Sequence, residues 1–142
     1  AQDTVNKAIS LGKLPKKECK TADLKIHGAK ENPDLSNHLY IYGSDQPEIQ
    51  NLINEDSSLG EKLHPRLDFL KAEVVFAARH ELARTVDDVL ARRVRMLFMD
   101  AKAAIESAPE VAALLAKELG KDEAWKEKQV ADFKEIAKHY TI

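Results

Sequence analysis

The feature that most limits how this chain can fold is the apolar series Val86, Val89, Leu90, Val94, Leu97, Phe98, Ala101 and Ile105. Gaps of three and four with adjacent pairs set these side chains on one stripe of an α-helix over roughly twenty residues. A break near Arg95 is compatible with that spacing. The same period continues on both sides. Lys71 to Ala83 places Val74, Val75, Ala78 and Leu82 together, and Pro47 suits the first turn of a helix carrying Ile49, Leu52 and Ile53. Leu59, Leu63 and Leu67 follow around a loop that holds Pro65. Pro109 is expected to open a further helix with Val111, Leu114, Leu115 and Leu119 inward and Gly120 as its stop. Asp122 then caps a last helix carrying Trp125, Val130, Phe133, Ile136 and Tyr140, of which Trp125 and Phe133 read as core. Residues 44–142 are therefore expected to form an all-α domain, a compact antiparallel bundle of about five helices.

Ahead of this bundle the pattern is different. Residues 1–12 read as a short helix: Asp3 or Thr4 can cap it, Val5, Ala8 and Ile9 share a face, and Gly12 ends it. Three turns are not stable alone, so this helix needs something to pack on. The chain opens at Ala1 without a methionine, which points to an excised or engineered start. Residues 13–43, punctuated by Pro15, Gly28, Pro33 and Gly43, read as an extended connector. Two patches in it, Leu24-Lys25-Ile26-His27 and Leu39-Tyr40-Ile41-Tyr42, are expected as short strands of one small hairpin or as extended chain.

Composition excludes several classes of function. The 142 residues carry 22 basic and 24 acidic side chains, so no whole-domain field draws in nucleic acid or anionic lipid. Apolar residues at 44% and charged residues at 32% make an ordinary globular mixture. The longest apolar runs fall far short of the roughly 20 residues that span a bilayer, and no signal peptide opens the chain. A single cysteine, Cys19, cannot form an internal disulfide, which suggests a reducing, cytoplasmic setting. Lys16, Lys17 and Lys20 stand near enough in sequence to lower its thiol pKa, but nothing beside it resembles a base.

The chemistry-bearing stretch is Arg79 to Arg93. Thr85 is a good N-cap, with Asp87 and Asp88 at the second and third helical positions, where carboxylates meet free amides and the positive end of the dipole. Arg84 and Asp88, and Asp88 and Arg92, lie four apart and can meet on one helix surface. His80, Glu81, Arg84, Thr85, Asp88, Arg92 and Arg93 are the motif and interaction candidates. Two readings stay open for them: a cap followed by solvated ion pairs, or a buried network that fixes a helix angle or docks a neighbouring domain. His80-Glu81 starts like a zinc-protease helix, but position 84 is arginine, and His27, His38, His64, His80 and His139 lie far apart, so no metal site is expected. Arg79, Arg84, Arg92, Arg93 and Arg95 interleave with Asp87, Asp88 and Asp100 and lack stacking aromatics, which argues against nucleic acid. No catalytic nucleophile arrangement and no glycine-rich phosphate or dinucleotide loop occurs, so no catalytic or cofactor-binding residue is expected in the chain.

Arg79-His80-Glu81, Ala83-Arg84-Thr85, Asp88 to Arg93 and Leu97-Phe98-Met99-Asp100-Ala101 closely resemble the C-terminal helical domain of FAD-dependent, aerobic-type glycerol-3-phosphate dehydrogenases. Asp3-Thr4-Val5-Asn6-Lys7-Ala8-Ile9 resembles the helix that follows the last FAD-domain motif, and the two connector patches sit where that family has its connecting segment. The likeness is densest in His80–Arg93 and thins after Ala108. The resemblance implies a parent flavoprotein that oxidises sn-glycerol 3-phosphate to dihydroxyacetone phosphate and passes electrons through FAD to quinone. It implies that FAD and substrate belong to an upstream domain of the same chain, the principal partner of this one. Residues 1–12 would be a helix left from that domain, and the 142 residues alone would be inactive. The parent would be cytoplasmic and peripheral at the cytoplasmic face of the inner membrane, and a homo-oligomer stays open. The expected role is structural or in subunit contact. The alternative is a stand-alone helical binding module for an anionic or phosphorylated partner held on the Arg79–Arg95 face.

Overall fold

The computed structural model describes residues 1–141. Its elements are α1 (Gln2–Leu11), α2 (Gln46–Glu55), α3 (Lys71–His80), a π turn (Asp88–Arg93), α4 (Met96–Met99), α5 (Ala101–Leu119) and α6 (Glu123–Ala137). Short 3₁₀ segments lie at His38–Asp45, Ser57–Gly60 and Lys138–Tyr140. Among the described residues there is no strand, only an isolated antiparallel bridge between Lys62 and Leu70 that closes the loop around Pro65.

α3 is the centre of the molecule. Every residue from Ala72 to Ala78 is buried, as expected of a helix that is covered on all sides. Its two flanks serve two cores. Val74, Ala77 and Ala78 join Val86, Val89, Leu90, Met96, Val111, Leu115 and Phe133 in the larger cluster. Ala72, Val75 and Phe76 join Leu39, Ile49, Leu52 and Leu59 in the smaller. The antiparallel pair α5 and α6 forms the far wall, where alanines at positions 103, 104, 108, 112 and 116 allow close approach.

The chain ends of the helices follow local chemistry. Asp100 accepts from the Ala103 amide at 2.9 Å and Asp122 from the Trp125 amide at 2.9 Å, capping α5 and α6. Gly120, at φ 62°, stops α5 in the left-handed conformation that glycine adopts without penalty. The break near Arg95 is present: Arg95 has φ 58° and separates the π turn from α4.

Four expectations are corrected. Pro109 does not begin a helix but sits inside the continuous α5, on its exposed side. Burial of both flanking alanine rows outweighs the missing hydrogen bond there. Leu82 is not inward; it lies in the left-handed region at φ 59° and is 72% exposed, because the chain must turn there to leave α3. Ile136 and Tyr140 are likewise largely exposed. Neither connector patch is a strand. Leu24–His27 has no regular structure, and Leu39–Tyr42 lies in the 3₁₀ segment, where the Asn37 side chain accepts from the Leu39 amide at 2.9 Å. The glycines that end the two patches meet instead: a Cβ on Gly43 (φ 53°) would sit 1.7 Å from the Gly28 carbonyl oxygen.

Nothing in residues 1–37 is buried. α1 carries no side-chain cap, and its end at Gly12 is an ordinary right-handed turn.

Candidate functional site

The seven candidates of the Arg79–Arg93 stretch gather where α3 ends and the π turn begins. Leu82 turns the chain so that the Ala83 amide donates back to the Ala77 carbonyl at 3.0 Å. The Arg84 guanidinium closes the same helix end by donating to the carbonyls of Ala78 (3.0 Å) and Ala83 (2.9 Å). Thr85 and Asp88 then form a reciprocal cap. The Asp88 amide donates to the Thr85 hydroxyl at 3.1 Å, and the Thr85 amide donates to the Asp88 carboxylate at 3.1 Å. The Arg84 amide adds a second bond to that carboxylate at 3.0 Å. Burial pushes the Asp88 carboxyl up, but these amide and hydroxyl bonds and the Arg92 charge outweigh it and leave it below its usual range.

The ion pairs lie outside this cap. Arg92 meets Asp87 at 2.8 Å and stands 3.8 Å from Asp88, with its own side chain 65% exposed. Arg93 reaches the Glu81 carbonyl at 2.6 Å and the Glu81 carboxylate at 3.4 Å. Desolvation raises Glu81, more than the Arg93 charge lowers it. His80 stacks on Phe76 with centroids 4.8 Å apart and lies 3.4 Å from Glu48 of α2. Arg79 makes a two-pronged bond to Glu118 of α5, at 2.6 and 2.9 Å. These groups tie α2, α3, α5 and the π turn to one another. They do not converge on a reacting centre.

A cavity of about 330 Å³ adjoins the stretch, lined by Thr85, Asp87, Asp88, Arg92, Gln129 and Asp132 among others. Three carboxylates face one guanidinium there, and that guanidinium is already paired. The field opposes an anionic guest, which weighs against the phosphorylated-partner reading. Cys19 is exposed, and its thiol is held low by the Thr21 hydroxyl at 3.0 Å rather than by the neighbouring lysines.

A second cluster escaped the sequence reading. Glu73, fully buried in the first turn of α3, accepts from the Leu70 amide (2.6 Å), the Tyr42 hydroxyl (2.9 Å) and His38 Nε2 (3.2 and 3.3 Å). The hydrogen bond to Glu73 raises His38 above its usual range despite partial burial. Burial first, and the Glu73 charge second, raise the Tyr42 hydroxyl far above its usual range. The one signal in the sequence is an acid set among Ala72, Val74, Val75 and Phe76, which must find partners somewhere.

Among the described residues there is no parallel sheet and no glycine-rich turn feeding a helix N-terminus, the two parts that hold a dinucleotide pyrophosphate. No group of three or more His, Cys, Asp or Glu among the described residues could hold a metal ion. No helix described is long and apolar enough to cross a membrane.

The chain is 30% identical over 167 residues to a mitochondrial glycerol-3-phosphate dehydrogenase of Arabidopsis thaliana, covering 96% of this chain and 26% of the relative. It is 31% identical over 142 residues to a probable mitochondrial glycerol-3-phosphate dehydrogenase of Caenorhabditis elegans, covering 84% of this chain and 19% of the relative. The mitochondrial enzyme of Rattus norvegicus is 29% identical over 153 residues, covering 92% of this chain and 20% of the relative. The chain thus spans about a quarter or less of the length of these relatives. No solved structure matches. The cytoplasmic expectation is overturned, since each of these relatives is mitochondrial by name. A lone unpaired cysteine excludes an internal disulfide, and that does not separate the cytosol from other reducing compartments. The family described as the C-terminal domain of alpha-glycerophosphate oxidase matches residues 19–126, most of the chain, and to that family the chain belongs.

Proposed function

We propose that the chain is the non-catalytic helical end of an FAD-dependent glycerol-3-phosphate dehydrogenase of the mitochondrion. The parent oxidises sn-glycerol 3-phosphate to dihydroxyacetone phosphate, with FAD and then a membrane quinone as electron acceptors, and works peripherally at that membrane. Residues 1–12 are the helix carried over from the upstream FAD domain, 13–43 the connector and 44–142 the C-terminal domain. The domain's role is structural, in packing on the upstream domain or on a second subunit. His80, Glu81, Arg84, Thr85, Asp88, Arg92 and Arg93 serve that role by fixing how the turn between α3 and α4 is presented.

The observation that carries this reading is the family match over residues 19–126, joined to a site whose charged groups are spent on helix ends and on one another. A phosphate substrate needs free cations and a dry pocket, and catalysis needs a base within reach of it. The test is an assay of the purified chain supplied with FAD and sn-glycerol 3-phosphate, read by dye reduction and by flavin absorbance after desalting. No turnover and no retained flavin are expected. Turnover by the chain alone would overturn the proposal.

A further inference from the structure

Glu73 sits fully out of water, and such a carboxylate requires donors or a countercharge. One donor, the Leu70 amide, belongs to its own helix start. The other two, His38 and Tyr42, both come from the His38–Asp45 segment. That segment is the first part of the chain to be buried, since residues 1–37 contribute nothing to either core. Its apolar hold is small. Leu39 and Gly43 are buried, whereas Tyr40 and Ile41 face solvent. The His38 ring meets Phe69 edge-on at 5.0 Å, and the Tyr42 ring meets Phe76 edge-on at 5.5 Å. The attachment of the connector therefore centres on one buried carboxylate.

We infer that Glu73, His38 and Tyr42 form a proton-operated clasp, in which protonated His38 closes the connector onto α3 and loss of that proton loosens it. Neutral imidazole still offers Glu73 an N–H, so the hydrogen bond survives. The countercharge does not, and the buried carboxylate is left with neutral donors alone. Three charged groups face His38: Glu73 from α3, and Asp68 and Lys62 from the preceding loop. Lys62 and Asp68 pair with each other at 2.6 Å, so their fields on His38 largely cancel and Glu73 dominates. Glu81, at the end of α3, adds further negative charge near Tyr42. The raised affinity of His38 for its proton has the direction this device requires. Two further pairs lie along the same junction, His27 with the largely covered Asp45 at 3.1 Å and the exposed His80 with Glu48 at 3.4 Å. Nothing ahead of His38 is buried, and the exposed bond from Lys30 to Gln46 of α2 is a surface contact. The clasp therefore bears most directly on how freely α1 and the connector move relative to the bundle.

The test is hydrogen exchange of the whole 142-residue chain from about pH 5.5 to about pH 8, corrected for intrinsic chemical exchange. In the wild-type chain, protection of peptides covering residues 38–45 should fall by about threefold or more across that range, while α5 holds steady. His38→Gln keeps an N–H toward Glu73 but does not titrate, and its profile over 38–45 should be flat. A flat wild-type profile overturns the clasp. So does a His38→Gln profile with the wild-type slope, which would place the titrating group elsewhere.

Discussion

Thr85 contributes one hydroxyl, and that hydroxyl accepts the Asp88 amide at the start of the π turn. Replacing it with alanine leaves that amide without its cap and should lower stability by about 1 kcal/mol, measured by urea unfolding. Leu82 presents the opposite case. It holds a left-handed conformation at φ 59° with little of its side chain buried, so its strain is not offset by packing. Leu82→Gly should raise stability by about 1 kcal/mol in the same measurement. At this scale the sequence was legible where partners are near. Thr85 and Asp88 stand three apart, and capping chemistry alone picks them out. Glu73 was not legible as a site, because Tyr42 and His38 lie 31 and 35 residues away and only the fold brings them to it. Asp88 and Arg92 show a partial reading: the spacing places them on one surface, but the carboxylate turns to backbone amides and Arg92 turns to Asp87.

At the scale of elements, α5 carries the largest departure from local rules. Pro109 lacks an amide for the carbonyl one turn back, yet the helix runs unbroken from Ala101 to Leu119. Pro109→Ala restores that bond on the exposed side and should raise stability by about 2 kcal/mol, read as a higher urea midpoint with unchanged slope. Helix boundaries were legible at Gly120, a left-handed glycine stop, and at Asp122, an aspartate cap at a helix start, but not at Asp100, which caps α5. Pro109 misled because proline favours a first turn, and only tertiary burial of Ala103, Ala104, Ala108 and Ala112 reveals that the helix began earlier. The two connector patches misled for a related reason. Alternating apolar residues suggest strands, but neither patch has a partner to pair with, and the second buries Leu39 and half-buries Tyr42 at a helical interval instead.

The whole molecule has a stability profile set by opposed titrations. His38 has its folded pKa raised above the ordinary 6.5, so its contribution is fully present below that value and is lost as pH rises through the folded pKa. Asp88 and Asp100 have theirs lowered from 3.8, so their contributions are present above that value and are lost as pH falls through the folded pKa. The melting temperature should therefore peak between those limits and decline toward alkaline pH, and His38→Gln should flatten the alkaline limb. The resemblance in Arg79–Asp100 carried the family assignment from sequence, and the matched span of residues 19–126 agrees with it. The central claim, that these residues act as the helical end of a larger flavoenzyme, is tested most directly by the mass of the native protein. An antibody raised to this chain, used on a blot of the source cells, should detect a band several times heavier than 15.9 kDa. A native band at 15.9 kDa would contradict the account.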